Sequence, residues 1–420
     1  MRLTLAIHPV SQIRFGNVTE LDGETLTVSE ADLRRLILED ERLDSVELEL
    51  VHPGEQCRFG AIFDVVEPRA KKPGDGSDFP GVLGPMALAG RGTTHVLRGA
   101  AVSVLSEGPA GPLVEMAGAA AECCPFAKLC HVVVMPHARP DLPRHAALNA
   151  RSNAGVKAAA YLARCSLGKP VQETEVYESE GPLEPRSDGR PRIAYIGQVH
   201  SRQRVAEVDE QIIYGHNTTG MVPVVMHPNE WLDGAILAGN AGGNIETYYY
   251  QNHPIVSELY RWHKEGKIAF VGTIATMAGS NNFDRELNCV TASELTKWNL
   301  GADGVVLSKA GGGAPHADMG LTALLCEKLG IRTVVQVGPP NSAPEQTIES
   351  ATLFNYPEVD AVVFNGGGAY TMFPAAPVER VVAPDPSAAE SLFALRDFPA
   401  TRVCGVTSQQ GAQRLRSFVY

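Results

Sequence analysis

The seven residues His227-Pro228-Asn229-Glu230-Trp231-Leu232-Asp233 bring an imidazole, an amide and two carboxylates together within a short length of chain. Imidazole titrates near neutrality, and burial can tune a carboxylate towards it, so the pairing suits proton transfer. Two further histidines, His200 and His216, precede this stretch. Convergence of such histidines with Glu230 and Asp233 on one crevice would give an acid–base or metal-binding site. The catalytic candidates are therefore His200, His227, Glu230 and Asp233. Asn229 and Glu230 could hydrogen-bond a substrate. The plainer alternative is local: Pro228 suits a tight turn after His227, and Asn or Glu here suits the start of a helix.

A second constellation is Cys123-Cys124, then Cys130-His131. Thiolates and imidazole suit zinc or iron, which makes these four the metal-ligating candidates, with His137 and His145 available to complete a site. Their spacing matches no common paired knuckle. The flanking Ala119–Ala121 and Val132–Val134 read as core. His95 lies in Arg91-Gly92-Thr93-Thr94-His95, which reads as a restricted Gly/Thr loop able to contact substrate or a neighbouring chain; the alternative is a histidine bonded to backbone. Gly311-Gly312-Gly313 and Asn365-Gly366-Gly367-Gly368 each follow an apolar run. Glycine there lets backbone N–H groups approach a ligand, with a helix expected to begin near Asp318. Neither is a Walker loop or a dinucleotide fingerprint, and no redox-cofactor motif is present.

The elements that position these residues read as two regions. In the first, Ser29 can cap a helix with Leu33, Leu36 and Ile37 on its apolar face, and Val46, Leu48 and Leu50 alternate as in a half-buried strand. Lys71–Phe79 reads as a polar loop and Asn153–Cys165 as a helix. Val171–Arg190 is polar and reads as a linker. After it, short apolar runs recur: Ile193–Ile196, Val222–Met226, Ile268–Ile274, Gly304–Leu307, Thr333–Val337 and Ala361–Phe364. Helix-like segments, including Ile255–His263 and Leu321–Leu329, lie between them. Continuous runs of this length suit strands buried on both faces. The expectation is a mixed α/β N-terminal domain (1–180) followed by a doubly wound, mostly parallel-sheet domain (190–420) of Rossmann-like or flavodoxin-like type. Such sheets bind ligands beyond the carboxyl ends of their strands.

Composition narrows the classes further. The 420-residue chain is 44% hydrophobic and 20% charged, the balance of a protein with substantial cores. Its net charge is -12 and it has no Lys/Arg-rich block, which argues against nucleic acid. No apolar run approaches a membrane span, and the start Met1-Arg2-Leu3-Thr4 has no export pattern. The expectation is a cytoplasmic protein whose eight cysteines are reduced. Cys289 and Cys326 read as apolar-facing helical residues.

Several segments resemble, in order, a known family. They include Glu67-Pro68-Arg69, Phe79-Pro80-Gly81-Val82, Gly92-Thr93-Thr94-His95-Val96-Leu97-Arg98-Gly99, Cys124-Pro125-Phe126, His227-Pro228-Asn229-Glu230, Asp233-Gly234-Ala235, Gln251-Asn252 and Leu300-Gly301-Ala302-Asp303-Gly304-Val305. The chain resembles the component B proprotein of the glycine, sarcosine and betaine reductases, and the related proline reductase proprotein. That resemblance implies a subunit of a heteromeric complex acting on a small amine or amino-acid-derived substrate by C–N bond cleavage. The partner would resemble the selenocysteine- or cysteine-containing subunit of component B. The resemblance also implies substrate or interface roles for Asn240, Gly242, Gln251, Asn252, Gly312, Gly313 and Asp318. In the family a cysteine near Gly242 becomes a pyruvoyl group, which can capture an amine. Residues 239–244 here read Gly-Asn-Ala-Gly-Gly-Asn, with no Cys or Ser. The expectation is an uncleaved chain without a pyruvoyl group. Two alternatives stand beside it: an enzyme of specialised metabolism working by metal or acid–base chemistry, and a non-catalytic scaffold.

Overall fold

The computed structural model describes residues 1–107, 111–199, 217–239, 245–279, 281–309, 314–338, 357–367, 370–408, 410–411 and 416–419. In chain order the first strands are β1 (Arg2–Pro9), β2 (Gln12–Gly16), β3 (Glu20–Asp22), β4 (Thr25–Ser29), β5 (Leu43–Val51), β6 (Cys57–Gly60), β7 (Ile62–Val66), β8 (Arg69–Lys71), β9 (Gly92–Arg98), β10 (Ala100–Leu105), β11 (Leu113–Glu115), β12 (Cys130–Ala138) and β13 (Glu173–Glu178). Helices α1 (Glu30–Ile37), α2 (Ala119–Cys123) and α3 (Arg144–Arg164) lie among them. Ser29 caps α1, accepting from the Asp32 N–H, and Leu33 and Ile37 are buried, as the pattern predicts. β5 buries Val46, Leu48 and Leu50 in alternation. It joins a four-stranded sheet, β5-β12-β10-β7, against which α3 packs.

The other four-stranded sheet, β13-β1-β9-β8, corrects two expectations. Part of the expected linker is β13, an edge strand antiparallel to β1 from Arg2↔Glu178 to Ile7↔Glu173. Its outward side chains are polar because one face meets solvent, which mimics a linker in composition. The expected Gly/Thr loop at His95 is β9, where threonine's branched Cβ favours extended backbone.

The later strands are β14 (Arg192–Gln198), β15 (Val224–Met226), β16 (Ala269–Thr276), β17 (Gly304–Ser308), β18 (Arg332–Val337), β19 (Ala361–Gly367), β20 (Met372–Pro374), β21 (Arg380–Val382), β22 (Asp397–Pro399) and β23 (Arg416–Val419). All six expected apolar runs supply strands. With β23 added, these six strands form one seven-stranded sheet in the order β15-β16-β14-β17-β18-β19-β23, parallel except at its edge strands β15 and β23. The five parallel strands follow the flavodoxin-like order, second-first-third-fourth-fifth. Helices α4 (Pro228–Leu232), α5 (Thr247–Gln251), α6 (Pro254–Lys264), α7 (Asn282–Glu294) and α8 (Ala314–Lys328) complete this region. Helix α8 begins at Ala314, a turn before the position expected from Asp318.

The two regions share cores. Leu3, Leu5, Ile7 and Val96 pack with Tyr195, Trp231, Tyr250 and Phe270. Beyond β19 the chain crosses back: β21 pairs in parallel with β6, and Val382, Phe398 and Cys404 join the core around Phe59 and Phe126. Among the described residues, no helix is long and apolar enough to cross a membrane.

Candidate functional site

Helix α4 holds the first constellation at the junction of the two regions. His227 is its N-cap, with Glu230 reaching back to the His227 N–H at 2.7 Å, a capping box. The imidazole is pinned at both nitrogens. Nδ1 accepts from the Asn229 N–H at 3.2 Å, and Nε2 meets the Ser179 carbonyl at 3.1 Å. Burial pushes His227 down to about 4, so it is neutral near pH 7. Burial pushes Glu230 up to about 7. Asn229 is fully buried; its amide donates to the Gly90 and Tyr177 carbonyls, and its oxygen accepts from the Tyr260 hydroxyl.

Asp233 ends α4, where a helix dipole disfavours negative charge. Its compensation is complete. Lys71 Nζ lies 2.5 Å away, Thr94 Oγ1 donates at 2.6 Å and the Gly90 N–H donates at 2.8 Å. Gly234 then takes φ +86°, left-handed backbone that stops the helix. Lys71, expected in a polar loop, is a buried residue at the end of β8. Its single charge among polar neighbours gave no periodic signal.

Gln251 and Asn252 are equally committed. Gln251 exchanges two hydrogen bonds with the Glu67 backbone, at 2.9 and 3.1 Å. Asn252 bridges Glu67 and Arg69. Glu67 is fully buried against Arg69 and Arg98; burial pushes its carboxyl up, but the two guanidiniums together hold it below the usual range. Arg69 also donates to the Leu232 and Gln251 carbonyls. These side chains tie β8 to α4 and α5.

The chain on either side of 240–244 is buried and pinned. The Ala238 N–H donates to Thr247 Oγ1 at 2.9 Å, and that hydroxyl donates to Asp64 at 2.6 Å. Burial pushes Asp64 up to about 7 and Glu246 up to about 6. Glu246 Oε1 accepts from the Cys404 thiol at 3.1 Å, while Oε2 has no donor among the described residues. Sequence reading missed Asp64 and Glu246; Asp64 sits in the apolar run Ile62–Val66, where a lone carboxylate was the available signal, whereas Glu246 lies among glycine, Asn244 and Thr247 and gave none.

The proposed metal set is corrected. His131 Nδ1 bonds Ser103 at 2.8 Å and Nε2 bonds the Phe126 carbonyl at 2.7 Å, leaving neither nitrogen for a metal. Cys130 packs into the core with Val102 and Leu148, whereas Cys124 packs into the other one, donating to the Cys404 carbonyl. Consecutive strand residues face opposite sides, which separates Cys130 from His131. Among the described residues no group of three such side chains could hold a metal ion. His95 is buried too, stacked on His8 with Nδ1···Nε2 at 2.9 Å. Cys289 and Cys326 are buried helical residues, as expected.

The carboxyl ends of the parallel strands are built differently. Gln198, at the end of β14, lies beside Thr276 of β16. Its Nε2 donates to the Pro315 carbonyl at 3.3 Å in the first turn of α8, while Oε1 has no donor among the described residues. Lys309 follows β17 and is 6% exposed; burial pushes its ammonium down to about 8. Asp318 receives Arg285 at 2.7 Å on one oxygen, and its other oxygen, Oδ2, has no donor among the described residues. His200, His216, Asn240, Gly242, Gly312 and Gly313 lie outside the described residues.

Comparison with known proteins follows the same order along the chain. The profile of the glycine/sarcosine/betaine reductase component B subunits matches residues 1–392. The "glycine reductase complex component B subunits alpha and beta" of Acetoanaerobium sticklandii is 32% identical over 340 residues, 80% of this chain and 78% of that one. The "sarcosine reductase complex component B subunit alpha" of Peptoclostridium acidaminophilum is 31% identical over 375 residues, 88% and 86% of the two chains. A betaine reductase complex component B subunit alpha from the same organism is 30% identical over 348 residues, 80% and 77%. No solved structure matches. With a profile match over most of its length and relatives aligned over four fifths of it, the chain belongs to the family of glycine/sarcosine/betaine reductase component B subunits.

Proposed function

We propose that this chain is the substrate-handling subunit of a reductase-like complex that cleaves or remodels a C–N bond in a small amine or amino-acid-derived substrate. It works with a second subunit resembling the selenocysteine- or cysteine-containing subunit of component B. The observation that carries this reading is the length of the match to three relatives named for reductase complexes, which leaves no room for an unrelated fold. In this reading the isolated chain binds and orients substrate, and reducing equivalents enter through the partner.

The chain acts without a pyruvoyl group. Self-cleavage needs a Cys or Ser to attack its own preceding carbonyl, and residues 239–244 contain neither. The hydroxyl that follows, Thr247, is engaged by Asp64 and by the Ala238 N–H and is thereby committed elsewhere. Ser257 lies within α6, where its own N–H bonds the His253 carbonyl.

The test is the denatured intact mass of the chain, purified with whatever partner co-elutes. One species near 44.9 kDa is expected. Two fragments, the C-terminal one with a blocked amino end, would overturn the uncleaved reading. Failure of the partner's subunit to co-elute or to restore amine-dependent reductase activity would overturn the complex.

A further inference from the structure

The unsatisfied groups at the carboxyl edge of the parallel sheet carry a statement about which amine is bound, resting on the proposed function. The chain runs from β14 to β16 on one side and then to β17 on the other, so β14 and β17 flank the point where the strand order reverses. Open α/β sheets bind ligands at that point. Ala194 and Ile196 of β14, Ile274 of β16, and Val305 and Leu307 of β17 all face the core that contains Met319 and Ala323 of α8. Strand alternation carries the same face on to Gln198, Thr276 and Lys309. The register agrees: Gln198 is opposite Thr276, and Gly197 is opposite Ser308, one residue before Lys309. Gln198 also touches the first turn of α8, and Asp318 lies three residues beyond Pro315 on the same side of that helix.

These groups fall into two kinds. Gln198 Oε1 and Asp318 Oδ2 are acceptors, each on a residue more than nine-tenths buried, and each has no donor among the described residues. A buried acceptor without a donor costs about 1–3 kcal/mol, so such a pair marks a place where a ligand's N–H groups go. Lys309 and the N-terminus of the 15-residue α8 are positive and suit a carboxylate. Burial holds the Lys309 ammonium near 8, still mostly charged at neutral pH.

We propose that this edge binds a small amino acid, its carboxylate towards Lys309 and the start of α8 and its nitrogen towards Gln198 and Asp318, and that it selects primary and secondary amines over quaternary ones. A quaternary ammonium has no N–H to give the two acceptors. Such cations are recognised on the faces of aromatic rings rather than by acceptor oxygens that call for N–H donors. Of the substrates named for the relatives, glycine and sarcosine carry N–H groups and betaine does not.

Calorimetric titration of the full chain with glycine, N-methylglycine and N,N,N-trimethylglycine tests this. The first two bind, and the third binds at least about tenfold more weakly, the effect of one lost hydrogen bond to a charged group. Gln198→Met weakens glycine and narrows the gap to the trimethylated compound. Lys309→Met weakens both, with thermal unfolding confirming that each variant folds. Equal binding of the three compounds, or glycine binding unchanged in both folded variants, overturns the proposal. So does the absence of binding by any of them, an outcome that leaves the mass and co-elution results untouched. Should a variant fail to fold, the discrimination ratio of the unsubstituted chain decides alone.

Discussion

The junction around Asp233 and the carboxyl edge around Gln198 are both buried and polar, yet they differ in how completely their groups are matched. At the junction each oxygen of Asp233 has its donor and both nitrogens of His227 are bonded. At the edge, Gln198 and Asp318 each keep one acceptor without a donor among the described residues. A matched network contributes rigidity and is strongly destabilised when one member is removed. An unmatched group costs stability in the free protein and is retained where binding uses it. The junction is thus the frame, and the edge is the part with capacity left for a ligand.

The largest expected effect breaks the frame. Lys71→Met leaves Asp233 buried without its cation and should cost about 3–5 kcal/mol, read from the denaturation midpoint at constant m-value. A cost below about 1 kcal/mol would mean that the junction does not hold the two regions together. Joint replacement of Lys71 and Asp233 by apolar residues should recover much of the loss, because no lone charge then remains.

The next effect is a pH dependence. Asp64 is raised in the fold from 3.8 to about 7, so the folded state favours the protonated form. Its contribution is complete below pH 3.8 and is lost as pH rises towards 7. Asp64→Asn should therefore gain on the unsubstituted chain by up to about 4 kcal/mol between pH 4 and pH 8. A stability difference that stays flat across this window would show Asp64 to be ionised in the fold at low pH. His227 shifts the opposite way: its folded value near 4 lies below 6.5, so its contribution is lost as pH falls from 6.5 towards 4.

Smaller changes sharpen the contrast. Thr247→Val removes the bridge between Asp64 and the Ala238 N–H and should cost about 1–3 kcal/mol in thermal or chemical unfolding. Gln198→Met replaces an amide whose oxygen has no donor, and stability should change by less than about 1 kcal/mol. A loss of several kcal/mol there would place Gln198 in the frame rather than in the ligand edge.

Some of this was readable from residues alone. The runs Ile193–Ile196 and Thr333–Val337 read as buried strands because they are short, rich in β-branched and aromatic residues and bounded by glycine or proline. The Ser29 cap and the alternation of Val46, Leu48 and Leu50 were legible for the same reason: each depends on neighbours within a few residues. Val171–Arg190 was misread because a half-exposed edge strand and a linker share a polar composition. The cysteine–histidine cluster was misread because spacing does not report which face of a strand each residue takes.

The sequence by itself determined the parallel sheet and family membership, since periodic burial and motif order are carried along the chain. It also determined that residues 239–244 offer no Cys or Ser to attack a carbonyl. Only the tertiary structure decided that Asp233 belongs to Lys71, 162 positions away, and that Glu67 belongs to Arg98 and Asn252. It alone decided that the His131 nitrogens are spent on Ser103 and Phe126 and that Gln198 Oε1 meets no donor among the described residues. The physical reason is that satisfaction of a buried polar group depends on distance in space, and chain folding sets that distance through contacts far apart in sequence.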